Sequence, residues 1–169
     1  GAELTLVVSI LSICLGTIIG ILWGMVLSSR ETLWVLPQKA AYLTADIIRA
    51  LPPLILLLLI NYYAPPTIGL HSKFWLSVIA LSLNLSAFIA DVVRGSIAGV
   101  PRPLIDAGLA IGMSNNQITR RIVLPEALRS VVPTFTLLYI DILKMSSLAS
   151  VIALQELTHI GSQISGKEF

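Results

Sequence analysis

The chain has 169 residues, of which 56% are hydrophobic and only 12% charged, with a mean hydropathy of +0.89. A soluble domain of this length needs more charge to cover its surface, so the surface itself must face something apolar. A net charge of +2 is too small and too dispersed for a nucleic-acid partner, and Cys14 alone supports neither a disulfide framework nor a thiolate metal site.

The length suits one domain and about four membrane spans of roughly 20 residues each. The expected fold is therefore all-α, a polytopic bundle of transmembrane helices in a lipid bilayer. The first apolar run, about Leu4 to Leu27, has no basic leader and no small-residue cleavage signal, and reads as a span rather than a signal peptide. Ser12, Gly16, Gly20, Gly24 and Ser28 recur in it at every fourth position. On a helix they form one narrow groove that lets another backbone approach closely. The second span, about Tyr42 to Tyr63, carries Pro52 and Pro53, which remove backbone donors and predict a kink. The third covers about Phe74 to Ile97, with a small-residue face at Ser82, Ser86 and Ala90. A fourth runs from near Glu126 to about Lys144, with Pro133 near its first turns. Met145 to Phe169 mixes polar and apolar residues and is too polar to read as a span.

Basic residues concentrate in two of the connections. Arg30 and Lys39 stand in the first, and Arg102, Arg120 and Arg121 in the long third, with Arg94 and Arg129 at its edges; the second, Pro65 to Ser72, is bordered only by Lys73. This asymmetry places the first and third loops in the cytoplasm and the N-terminus outside.

Acid–base pairs three residues apart mark the cytoplasmic helix ends: Asp46 and Arg49, Asp91 and Arg94, Glu126 and Arg129. Such residues share a helix face. They read either as anchors at the membrane boundary or as contacts that change between two states. Asp141 and Lys144 repeat the spacing at another depth. Asp141 lies fifteen residues beyond Glu126, roughly 22 Å along a helix, well inside the bilayer. An intramembrane carboxylate faces a partner or an aqueous path; here the partner is Lys144, or a charged substrate or its ammonium group, unless the span boundary itself lies elsewhere.

Residues 100–125 read as a structured cytoplasmic loop of two short helices parted near Gly112. Ser114 and Gln117 form a capping box at the start of the second helix, Pro103 opens the first and Pro125 closes the second. Asp106-Ala107-Gly108, then Gly112, then Ile122-Val123-Leu124-Pro125 follow at the spacing of the Glu-Ala-Ala…Gly…Ile-x-Leu-Pro coupling-loop signature. The segment resembles that signature of bacterial ABC-importer permeases. Flanking runs narrow the resemblance to the polar amino acid permeases (histidine, glutamine and arginine types). Ile48-Arg49-Ala50-Leu51-Pro52 is similar to their Arg-Gly-Thr-Pro element. Phe88-Ile89-Ala90-Asp91-Val92-Val93-Arg94-Gly95 is similar to Tyr-x-x-Glu-x-x-Arg-Gly, and Leu143-Lys144-Met145-Ser146-Ser147-Leu148 with Glu156-Leu157 to Leu-Lys-Asp-Thr-Ser-Leu…Glu-Leu. The chain departs where Pro103-Leu104 replaces Gly-Gln, Asp106 replaces the glutamate, and Met145 replaces an aspartate, with Asp141 one turn earlier.

The resemblance implies a multi-pass permease of the bacterial inner membrane that takes up polar amino acids. It pairs with a second copy or a paralogue and receives substrate from an extracytoplasmic solute-binding protein. Each permease docks an ATP-binding cassette subunit, which binds ATP and Mg and hydrolyses the nucleotide; the permease holds no cofactor or metal and is no enzyme. Asp106, Ala107, Gly108 and Gly112 are the expected docking residues, with Arg120 and Arg121 in support; Asp141, Lys144 and Asp91 are the candidates for the substrate pathway. Residues 1–169 form a single permease domain, expected to lack the family's last span and basic tail. The alternatives are an ABC permease for another small polar solute, or a structural or channel-forming membrane subunit. A membrane enzyme has little support, because His71 and His159 belong to no metal cluster or triad pattern.

Overall fold

A computed structural model describes residues 2–28, 35–69, 71–152, 161, 162 and 165. The elements are α1 (Ala2–Ser28), α2 (Val35–Ala50), α3 (Pro53–Ile68), α4 (Lys73–Ala98), α5 (Arg102–Ala110), α6 (Asn115–Ile118), a π-helical stretch (Thr119–Val123), α7 (Leu124–Met145) and a 3-10 helix (Ser146–Ile152). No strand occurs among the described residues. Three helices are long and apolar enough to cross a membrane, or four if α2 and α3 make one broken span. The all-α membrane bundle is thereby confirmed. Arg30, Glu156, Leu157 and His159 lie outside the described residues.

The bundle is assembled around α4, whose Leu81, Leu85, Ile89 and Val93 are buried. Val78 and Leu81 pack with Val8 of α1, Leu85 and Ile89 with Ile142 of α7, and Ala80 with Leu57 of α3 and Ile152. The groove of α1 is where α4 sits. A Cβ on Gly16 would lie 3.0 Å from the Ser82 carbonyl oxygen, one on Gly20 2.8 Å from that of Ser86, and one on Gly24 2.9 Å from that of Ala90. Ser12 Oγ donates to the Val78 carbonyl at 3.4 Å. Partners rise together at a constant step of 66 residues, so α1 and α4 run parallel and in register. The two small-residue faces read from sequence are the two sides of this one contact. On the other side of α4, α7 runs antiparallel: its Thr134 shares a cavity with Gly95, and its later Leu138 shares another with the earlier Asn84. Tyr139 and the Thr17 hydroxyl meet at 3.0 Å, joining α7 to α1.

Expectations change in two regions. The second span is not one kinked helix but two helices bent by 107°. A single proline removes one donor and bends a helix; two in a row also bar the first from helical geometry, because the residue before a proline is pushed to extended backbone. Pro52 accordingly has φ −54° and ψ 136°, and Pro53 opens α3 in its first turn. The helix before the break also starts earlier than expected, at Val35, so Lys39 lies on α2 rather than in a loop. The second correction concerns Pro125. It does not close a short helix: residues Asn115–Ala149 form one helical run, and the expected start near Glu126 is internal to it. A proline ring crowds the carbonyl four residues back, here that of Arg121. The wider π turn just before it accommodates that crowding without ending the helix.

Large apolar side chains stay outward on α1, with Leu6, Ile10, Ile18 and Leu22 all more than half exposed. In a bilayer this is the lipid-facing side, and packing within the bundle rests on close approach rather than on water exclusion. Gly20→Leu forces a side chain into the Ser86–Ile89 backbone and is expected to destabilise the bundle by about 1–3 kcal/mol. Ile18→Leu on the lipid side is expected to be silent. Thermal unfolding in detergent, followed by helical circular dichroism, compares the two.

Candidate functional site

Between α4 and α7 the chain makes a compact hairpin. Pro101 caps α5, with Pro103 in its first turn, and α5 ends as the backbone turns at Gly112 with φ 80°, a conformation costly for any residue with a Cβ. Ser114 then restarts the helix through a complete capping box. Gln117 N–H donates to Ser114 Oγ at 3.4 Å, and Ser114 N–H donates to Gln117 Oε1 at 2.8 Å. The hairpin closes on Gly108, the buried member of the Asp-Ala-Gly element, where a Cβ would stand 2.9 Å from Ile122 and 3.2 Å from Ile118. Asp106, Ala107, Gly112, Arg120 and Arg121 remain exposed. Leu104, Leu109 and Ile111 are exposed as well, Ile111 to 79%. The hairpin therefore presents an apolar surface bordered by a carboxylate and two guanidinium groups.

Two cavities flank α4 on its α7 side. The larger, about 560 Å³, opens at the root of the hairpin, lined by Asp91, Ser96, Pro101, Glu126, Ser130 and Thr134 among others. Its wall is mixed, and the carboxylates on it are paired. Asp91 accepts from Arg94 at 2.7 Å and from Arg49 at 2.5 Å, and Glu126 lies 3.6 Å from Arg129. The smaller, about 80 Å³, lies near the middle of α4 between Asn84, Leu85, Phe88, Leu138, Asp141 and Met145. Asn84 is 2% exposed, and its Nδ2 has no hydrogen-bond partner among the described residues. A buried amide donor without a partner is costly. Asp141, on the same cavity, has a half-exposed side chain and makes a long 3.4 Å pairing with Lys144.

Residues 12–166 match the binding-protein-dependent transport system inner membrane components. The chain belongs to that family. It is similar to a probable amino-acid ABC transporter permease, YckA, of Bacillus subtilis, at 33% identity covering 100% of this chain and 74% of that protein. The octopine transport system permease OccM of Rhizobium radiobacter is 31% identical, covering 100% of this chain and 71% of its own. Among solved structures, an amino acid ABC transporter with histidines superposes with a TM-score of 0.87 at 27% identity, over 98% of this chain and 76% of that one. The fold is thus that of an ABC-transporter permease.

Within this permease the expected pathway residues separate into two places. Asp91 lines the large cavity, while Asp141 lines the small one with Lys144 exposed beside it. The expected docking residues stay together on the hairpin. Asn84 escaped the sequence reading, since one amide inside an apolar span carries no spacing signal until its burial is known. Among the described residues no group of three or more histidine, cysteine, aspartate or glutamate side chains comes together as a metal site. Ser114→Ala removes one half of the capping box and is expected to cost about 1 kcal/mol locally. Faster amide exchange over residues 114–118, with the bundle amides of α4 unchanged, is the signature to look for.

Proposed function

We propose that this permease is the membrane-spanning subunit of an ATP-driven importer for polar amino acids. It works with a second permease copy or a paralogue, an extracytoplasmic solute-binding protein and an ATP-binding cassette subunit, in a bacterial inner membrane. The observation that carries the reading is the hairpin of residues 100–125, which turns apolar side chains and Asp106 away from the bundle instead of into it. Exposed apolar surface bordered by charge is the pattern of a protein-docking site. The hairpin is continuous with the helical run Asn115–Ala149, so a push on it is carried towards Asp141 without crossing a loop. In this reading Asp106, Ala107 and Gly112 meet the nucleotide-binding subunit, Arg120 and Arg121 support the contact, and Gly108 shapes the hairpin from within. ATP and Mg belong to that partner, whose closure drives the permease between inward- and outward-facing states.

The small cavity supports the substrate class. A zwitterionic amino acid carries a carboxylate and an ammonium group, which call for a donor and an acceptor. Asn84, whose buried Nδ2 is unpartnered among the described residues, and Asp141 stand on one small cavity in mid-span, and we take them as the donor and the acceptor, since polar groups at that depth usually serve a transported solute. Relatives named for glutamine and cystine transport, 34% and 32% identical, support the same class.

The test is ATP hydrolysis and uptake by the complete complex in liposomes, assayed with each polar amino acid. Asp106→Lys is expected to lower stimulated hydrolysis about ten-fold or more, because reversing a charge at an interface sets like charges against each other. Asn84→Leu is expected to abolish uptake while the cassette subunit still binds. Hydrolysis indifferent to Asp106→Lys would overturn the docking assignment, and stimulation by a sugar or an inorganic ion instead would overturn the substrate class.

A further inference from the structure

Each acid–base pair read from the sequence lies within one helix, but in the folded chain two of them are joined. Arg49, in the last turn of α2, bonds Asp46 on its own helix and reaches across to Asp91 Oδ2 of α4 at 2.5 Å. Asp91 Oδ1 accepts from Arg94 Nη2 at 2.7 Å and from its Nε at 3.2 Å. The Arg94 guanidinium in turn lies over the Tyr42 ring, 5.8 Å from its centre, back on α2. Asp46 and Arg49 of α2, Asp91 and Arg94 of α4 and Tyr42 back on α2 thus form one chain of contacts that crosses between the two helices twice.

Among the described side chains of α2, from Gln38 onward, apolar burial is slight. Leu43 and Ile47 are exposed to 63% and 53%, and Ala45 is the apolar side chain it buries among the described residues. Further polar ties join it to α1: Gln38 Nε2 and Tyr42 Oη donate to the Leu27 carbonyl at the end of α1, at 2.8 and 3.0 Å. A helix attached by charges and hydrogen bonds can leave and return without tearing a packed core, and the two-proline break one turn past Arg49 supplies a pivot. Asp91 is also a wall of the large cavity at the root of the hairpin, so this carboxylate touches both the pivoting helix and the space beside α5.

We propose that Arg49 and Asp91 are positioning residues of the transport cycle. Their bond holds α2 against α4 in the state described, and its release lets α2 swing about Pro52–Pro53 as the cavity beside the hairpin changes shape. This rests on the importer reading above.

The test uses the complete complex in liposomes and the solubilised permease in parallel. Arg49→Gln and Asp91→Asn are each expected to raise hydrolysis without substrate about five-fold or more, the lower end of a coupling between two states, and to lower uptake per ATP consumed. The double variant is expected to fall well short of the sum of the two single ones, since both remove the shared Arg49–Asp91 bond. Asp91→Glu retains the charge and is expected to behave as the unaltered protein, as is Lys39→Gln on the exposed side of α2. In the solubilised permease, with Cys14→Ser, spin labels at Leu43→Cys and Leu128→Cys report the distance from α2 to α7. The distribution is expected to broaden with Asp91→Asn and to stay narrow with Asp91→Glu. An unaltered complex that couples hydrolysis to uptake, with Arg49→Gln and Asp91→Asn indistinguishable from it, overturns the latch alone. An unchanged label distribution in Asp91→Asn overturns it too. An unaltered complex whose hydrolysis never drives uptake overturns the importer reading, and the latch falls with it.

Discussion

Everything in this bundle hangs on the close approach of α1 to α4. Small residues at every fourth position of α1 bring its backbone against the carbonyls of Ser82, Ser86 and Ala90, with no room for a Cβ. Dispersion at short range is the attraction that remains when lipid is as apolar as leucine. The contact repeats over three turns at a fixed step, so sliding one helix along the other by less than a turn sets glycine against side chain. The pair is consequently the stiff part of the molecule. α4 then has one face left for α7 and another for α2 and α3, and the attachments there differ in kind. α7 packs through Ile142, Leu138 and Tyr139 against Leu85 and Ile89, whereas α2 is tied by charge.

That difference explains how legible each part was beforehand. The groove was readable because its period is local: Ser12, Gly16, Gly20 and Gly24 declare a helix face without reference to anything else. Gly112 and the Ser114–Gln117 box were readable for the same reason, as short-range backbone chemistry. The bond from Arg49 to Asp91 was not, because sequence spacing reports neighbours on one helix and says nothing of which helix comes alongside. Asn84 was invisible for a related reason: its meaning lies in its burial.

The two proline sites misread are instructive as a pair. Pro52–Pro53 broke a span where a kink was expected, since the second ring fixes the backbone of the first in an extended form. Pro125 broke nothing, because the ladder widened by one residue just ahead of it. A proline constrains a donor and a volume, and the surrounding chain decides whether that constraint becomes an end, a bend or a bulge. The family resemblance, by contrast, was carried by the spaced coupling-loop pattern and held over residues 12–166.

Gly108 has a mechanical corollary. Because α5 is seated directly on Ile118 and Ile122 through the missing side chain, it stands off the helical run Asn115–Ala149 like the handle of a crank. The shaft is about 52 Å long at the rise of an α-helix, and it carries Asp141 far from the handle. Torque applied to the handle by the proposed nucleotide-binding subunit would turn the shaft about its own axis. In the importer proposed above, a rotation of this kind would re-aim the Asp141 carboxylate around the helix without lifting it to another depth, so a small angular motion at one end would change what that acid faces at the other.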